Sequence, residues 1–105
     1  MKAIKRTGPV RVWSQVEIEA MLDTYFSMLA MQLKGEAYTK APMVRELAAR
    51  INRSKGSCEA KMMNTSAVLL ASGHPIVTGY KALGNAQGLL RELVAARLAA
   101  MGGAS

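Results

Sequence analysis

The sequence predicts an all-α fold, a single domain of four helices. Apolar residues recur at spacings of three and four in four segments, and glycine or proline separates these segments. Only residues 75–78 resemble a strand, and that run is short. A chain of 105 residues has the usual length of one domain. We therefore predict a flexible basic arm over residues 1–12, a helical domain over residues 13–101 and a tail over residues 102–105.

The first helix is predicted over residues 14–34. Ser14 and Glu17 have the spacing of a capping box, in which each side chain binds the other residue's backbone amide. Gly35 is suited to end the helix in the left-handed conformation. Trp13 stands just before the cap, where a structural role is favoured over base stacking. The predicted inner stripe is Ile18, Met21, Leu22, Tyr25, Leu29 and Leu33.

The second and third helices are predicted over residues 41–52 and 57–72, and together they form a helix-turn-helix-like centre over residues 41–72. Pro42 fits a first helical turn because its missing amide would have no partner there. Gly73 follows the third helix as a stop signal. The third helix has polar residues in its first half, whereas its second half is apolar nearly all round, as in a helix that is half exposed and half buried.

The fourth helix is predicted over residues 86–101, after a loop over residues 73–84. Asn85 is a suitable N-cap, and Gly102 follows the last apolar residue. The apolar stripe of this helix is Leu89, Leu90, Leu93, Val94, Leu98 and Met101.

The turn between the second and third helices carries the strongest functional signal. Ser54 or Ser57 can cap the third helix, and Gly56 would permit a positive φ in a sharp turn. Arg53, Lys55 and Lys61 concentrate positive charge at this helix N-terminus, an arrangement that favours a phosphate. An ordinary corner between two helices, with a solvated cluster of charges, fits the same residues. Both interpretations remain open at this point.

The charge distribution favours a polyanionic partner. The net charge is +7, and residues 1–12 contribute four basic residues and no acid, whereas residues 13–33 contain three acids and no base. Such an uneven surface attracts a polyanion to one side, and nucleic acid is the first candidate. No window is apolar enough for a membrane span, and no signal peptide is recognisable, so we expect a cytoplasmic protein that does not engage a membrane.

The sequence contains few residues suited to catalysis or metal binding. Cys58 is the only cysteine and His74 the only histidine, so neither an intrachain disulfide nor a tetrahedral zinc site can form within one chain. No glycine-rich phosphate loop follows a strand. Glu19 and Asp23 are spaced like a solvated helix face. We expect a protein that is not an enzyme and that uses no cofactor or metal.

An ordered series of residues runs through most of the chain and forms a recognisable pattern. Its members include Trp13, Ser14, Glu17, Tyr25, Phe26, Gly35, Tyr38, Arg53, Ser54, Gly56, Ser57, Glu59, Lys61, Asn64, Ser66, Gly73, Pro75, Gly79, Tyr80, Lys81, Asn85 and Gln87. This series resembles a small helical domain that precedes the nuclease domain in many bacterial HNH-type restriction endonucleases. The resemblance covers roughly residues 13–98, and no part of the chain resembles the nuclease itself. It implies recognition of a target or of DNA rather than cleavage, in a protein of phage or mobile-element origin.

The leading interpretation is therefore a DNA-binding module. Lys61 and Asn64, in the first half of the third helix, are predicted to face bases in a groove. The predicted phosphate contacts are Arg53, Lys55 and Ser57, followed by Lys40 and Lys81, with Lys2, Lys5, Arg6 and Arg11 of the arm along the backbone or minor groove.

The alternative is a protein-interaction module. Eight methionines could supply an adaptable apolar surface for a host protein or for a second copy of the chain. The apolar back of the third helix needs a cover, which we expect from the first helix, the last helix or the second subunit of a homodimer. The predicted partner-binding residues are Met31, Met63, Ala67 and Leu70.

Overall fold

A computed structural model describes residues 12–84 and 86–102, and in these ranges the chain has the predicted all-α architecture. The four helices are α1 (Gln15–Lys34), α2 (Lys40–Ile51), α3 (Lys55–Ala71) and α4 (Gly88–Gly102). The described residues contain no strand, and residues 75–78 form part of a loop. Residues 1–11 of the arm and most of the tail lie outside the described ranges, as does the predicted N-cap Asn85.

The ends of α1 follow directly from local sequence. The Ser14 side chain accepts a hydrogen bond from the amide of Glu17, and the Glu17 side chain accepts one from the amide of Ser14, so the predicted capping box is present. Gly35 ends the helix with φ of 75°, and the amide of Glu36 donates to the carbonyl of Met31. The stop signal therefore acts as predicted.

Helices α1 and α3 each pack against every other helix, whereas α2 and α4 make no packing contact with each other in the described structure. The core is formed mainly by α1, and Trp13 is buried there. Leu33 was predicted to be buried and is instead 62% exposed, because it lies in the last turn of α1, just before the chain turns away at Gly35. Met101, predicted on the apolar stripe of the last helix, lies in the last turn of α4 and is also exposed.

The loop between α3 and α4 contributes two residues to the core. Val77 is fully buried, and its amide donates to the hydroxyl of Tyr25, which also shares a short hydrogen bond of 2.6 Å with the Ser66 hydroxyl. Tyr80 is buried as well, and its ring stacks at 6.5 Å on that of Tyr25. This loop is consequently a packed part of the domain rather than an outer connection.

Candidate nucleic-acid interface

The turn between α2 and α3 places Lys55 at an exposed helix start. Asn52 takes the left-handed conformation with φ of 55°, and the Ser54 side chain caps α3 by accepting from the amide of Ser57. The prediction that Gly56 supplies a positive φ is wrong, since Gly56 already lies in the first turn of α3. Asn52 can take its place because asparagine adopts this conformation more readily than most residues.

Arg53 is held inside the domain rather than offered to solvent. Its Nε and Nη2 atoms donate to the two carboxylate oxygens of Glu17 at 3.1 and 3.0 Å, and Nη2 also reaches the carbonyl of Val12. Its guanidinium lies 4.5 Å from the centre of the Trp13 ring. The side chain is only 8% exposed. These contacts join the turn to the start of α1, and the phosphate role of Arg53 stays a prediction.

Lys61 is also engaged within the domain. Its ammonium donates to the side-chain oxygen of Gln87 at 2.7 Å and lies 5.3 Å from the centre of the Trp13 ring. Burial, followed by the nearby guanidinium of Arg53, lowers the pKa of Lys61. A lysine in this setting is a poor choice for an open, base-reading position.

Asn64 is occupied by the loop that leads to α4. Its amide group donates to the carbonyl of Leu83 at 2.5 Å, and the amide of Leu83 donates to the carbonyl of Met63. We call residues 81–84 with 86 and 87 the covering segment, because they cross α3 at Asn64 and Lys61. The predicted presentation of these two side chains to bases is therefore not observed. Their polar groups bind the covering segment instead.

The other predicted phosphate contacts fall into three groups. Lys55 and Lys81 are exposed, and Ser57 is half-buried near the α3 cap. Lys40 begins α2, and its ammonium lies 5.3 Å from the centre of the Tyr80 ring and 6.0 Å from that of Tyr38. Arg6 and Arg11 lie outside the described residues, as do Lys2 and Lys5.

The predicted partner-binding residues do not form an exposed methionine surface. Met31 and Ala67 are half-buried, Met63 packs against the core, and Leu70 is 56% exposed. Three further methionines, Met21, Met28 and Met62, are fully buried. The back of α3 is covered in part, because Met63 packs against the core and its carbonyl accepts from the amide of Leu83, whereas Leu70 remains exposed. Cover by a second subunit stays a prediction. An aperiodic loop gave no signal for this arrangement.

Sequence reasoning also missed a second ionic tie and a groove. Arg97 of α4 binds Glu19 at 2.8 Å and Asp23 at 3.0 Å, so these acids form part of a helix contact rather than a merely solvated face. Beside them lies a groove of about 420 Å³ between α1 and the end of α2. Its lining includes the apolar side chains of Val16 and Ile51, and Val16 is 77% exposed.

No group of three or more potential metal-ligating side chains occurs within residues 12–84 and 86–102. His74 lies exposed in a loop, and Cys58 is buried, with its thiol pKa raised chiefly by that burial. Among the described helices, none has both the length and the apolar character needed to cross a membrane.

Comparisons with known protein families, with curated proteins and with solved structures return no match. The resemblance to the domain that precedes HNH-type nucleases thus stays a prediction from the sequence.

Proposed function

We propose that this chain is a non-enzymatic, cytoplasmic module that binds nucleic acid through backbone phosphates. Exposed lysines beside α2 and α3, together with the basic arm, supply the contacts. In this form of the proposal Lys61 and Asn64 stabilise the domain and do not read bases. The module thus holds a nucleic acid with little dependence on sequence, as expected for contacts to phosphate alone.

The supporting observation is the excess of unpaired basic side chains. The described residues include ten lysines and arginines and seven acids. Three of those acids, Glu17, Glu19 and Asp23, are bound by Arg53 and Arg97. The positive charge of Lys40, Lys55 and Lys81 is not offset by an ion pair in the described part of the chain. Such side chains are free to exchange counterions for phosphates.

The sequence resemblance supports the same class of partner. A domain next to an HNH-type nuclease is suited to target recognition, and a copy without the nuclease would retain binding alone. We extend the proposal to a phage or restriction setting on that basis. DNA is the partner we favour, because the resemblance is to proteins that act on DNA.

The test is the salt dependence of binding to a labelled duplex of about 20 base pairs, followed by fluorescence anisotropy. Each neutralised phosphate contributes about −0.9 to the slope of log K against log salt. We expect a slope of several units and similar affinities for duplexes of unrelated sequence. A salt-independent affinity, or no binding at low salt, would refute the proposal.

The groove between α1 and α2 favours a second candidate, a protein-interaction module. Val16 and Ile51 line this groove and could pack against a host protein or a second copy of the chain. We place this alternative at the groove because, among the seven described methionines, three are buried, three are half-buried and Met101 alone is exposed. Substitution of Val16 by Glu would weaken such a contact and leave DNA binding unchanged. Light scattering of the wild type and this variant would identify a homodimer formed through the groove.

A further inference from the structure

The structure assigns a specific phosphate-binding site to the ammonium of Lys40. This ammonium lies between the rings of Tyr38 and Tyr80 and the backbone of Gly79. This inference rests on the proposed function and deepens it, because it names one preformed site for a backbone phosphate within the basic surface. The supporting observations concern the position of the ammonium, its unused hydrogen-bonding capacity and the nature of the ring beside it.

The Lys40 ammonium lies close to three neighbours. It lies 5.3 Å from the centre of the Tyr80 ring and 6.0 Å from that of Tyr38, within the range of a cation–π interaction. A Cβ atom added to Gly79 would lie 2.8 Å from the nitrogen, so a side chain at position 79 would displace the ammonium from its present position. Gly79 also has φ of 97°, which side chains disfavour. The loop therefore fits around the ammonium.

The ammonium has hydrogen-bonding capacity that the domain does not use. It can donate three hydrogen bonds, yet it makes no hydrogen bond or ion pair in the part of the chain that the structure describes. The residue as a whole is half-buried. A positioned cation with free donors is suited to bind an oxyanion, because little side-chain freedom remains to be lost on binding.

The Tyr80 ring is placed there without help from its hydroxyl. The residue is 5% exposed, and its hydroxyl is buried with no hydrogen-bond partner among the described residues. Its position therefore depends on the packing of the ring, and the ring face is what Lys40 meets. The Tyr80→Phe variant should preserve the phosphate-binding site, whereas Tyr80→Leu should remove the aromatic face. Lys81, which follows directly and is exposed, can add a second positive charge.

The first test uses inorganic phosphate as the probe for the full-length protein. Nuclear magnetic resonance signals from the Lys40 Nζ group and the Tyr80 ring should shift saturably with phosphate and stay unchanged with chloride at equal ionic strength. The Tyr80→Phe variant should show the same Nζ response, and the Tyr80→Leu variant, if folded, a weaker one. If phosphate and chloride shift the Lys40 Nζ signal alike, Lys40 does not form a phosphate-binding site.

The second test compares duplex binding by Lys40→Gln, Lys40→Arg and Arg91→Gln. Arg91 is an exposed residue of α4, so its variant loses the same single charge at a distant helix. Lys40→Gln should reduce the magnitude of the salt slope by about 0.9, one phosphate contact, whereas the other two should keep the wild-type slope. Equal slopes for Lys40→Gln and the wild type would refute the phosphate-binding site at Lys40 and would not contradict the proposed function. A wild type that does not bind DNA would instead refute the proposed function. The phosphate titration would still show whether phosphate binds at Lys40.

Discussion

Four cations in the described part of the chain lie on aromatic rings, and two of them, Arg53 and Lys40, differ in what else they contact. Arg53 stacks on Trp13 and also binds both carboxylate oxygens of Glu17, so its hydrogen-bonding capacity serves the fold. Lys40 approaches Tyr80 and Tyr38 but makes no ion pair in the described structure. The comparison teaches that a basic residue in a helix-turn-helix-like segment is informative about ligands only when its structural partners are known.

The largest effect on the free energy of unfolding is expected from removing Glu17, the acidic partner of Arg53. Glu17→Ala removes the carboxylate that binds the Arg53 guanidinium, which is 8% exposed, and with it the acceptor of the Ser14 amide in the capping box. Loss of one partner of a buried pair typically costs about 3–5 kcal/mol, and we expect about 3 kcal/mol here because Glu17 is itself slightly exposed. Urea denaturation of this variant and of Glu36→Ala, which removes an exposed acid, provides the measurement and its control. A similar loss for both would contradict a structural role for Arg53.

The next effect compares the hydroxyls of two stacked tyrosines. Tyr25→Phe removes an oxygen that bonds the Ser66 hydroxyl and accepts from the Val77 amide, leaving buried groups without a partner. Such a loss costs about 1–3 kcal/mol. Tyr80→Phe removes a buried hydroxyl that has no partner, so it should leave the free energy of unfolding unchanged or raise it slightly. Thermal unfolding of the two variants measures this difference, and a larger loss for Tyr80→Phe would show that its hydroxyl is bonded.

The free energy of unfolding at alkaline pH should also reflect the burial of Tyr80. Desolvation raises the pKa of this phenol from 10.0 to about 12 in the folded protein. Because the unfolded chain releases the proton first, this contribution is full below pH 10 and is lost as the pH rises to about 12. Tyr80→Phe should therefore lose less stability than the wild type over that interval, as measured by urea denaturation at several pH values. Parallel curves would exclude a raised pKa at Tyr80.

The smallest effect is expected at the covering segment. Gln87→Ala removes the side-chain oxygen that accepts a hydrogen bond from the Lys61 ammonium. We expect this change to lower the free energy of unfolding by about 1 kcal/mol or less. Hydrogen exchange should show faster exchange of the Leu83 amide, which donates to the carbonyl of Met63, with little change in the α1 core. Uniformly faster exchange across the domain would mean that the segment is part of the global folding unit.

The helices could be predicted because their signals are local. The pairing of Ser14 with Glu17 and the glycine at position 35 place the ends of α1, and the observed start of α3 differs from the predicted one by only two residues. α3 starts earlier because Ser54, one of the two candidate caps, binds the amide of Ser57. Such signals depend on residues within one helical turn.

The candidate site could be predicted only in part, because its contacts join distant parts of the chain. Arg53 and Glu17 are 36 positions apart, and Lys61 and Gln87 are 26 apart. Charge and spacing mark Arg53 and Lys61 as basic and close to a turn, yet the acceptor each one finds depends on tertiary packing. The loop after α3 has no periodicity, so neither the burial of Tyr80 nor the covering of Asn64 could be read from its sequence.

The most direct test of the account measures stability and duplex affinity together for Arg53→Gln and Lys40→Gln. We expect opposite outcomes for these two losses of one positive charge. Arg53→Gln should lower the thermal midpoint and keep the wild-type affinity per folded molecule, whereas Lys40→Gln should keep the midpoint and reduce the magnitude of the salt slope by about 0.9. An Arg53→Gln variant that stays stable and loses affinity, with unchanged binding by Lys40→Gln, would contradict the account.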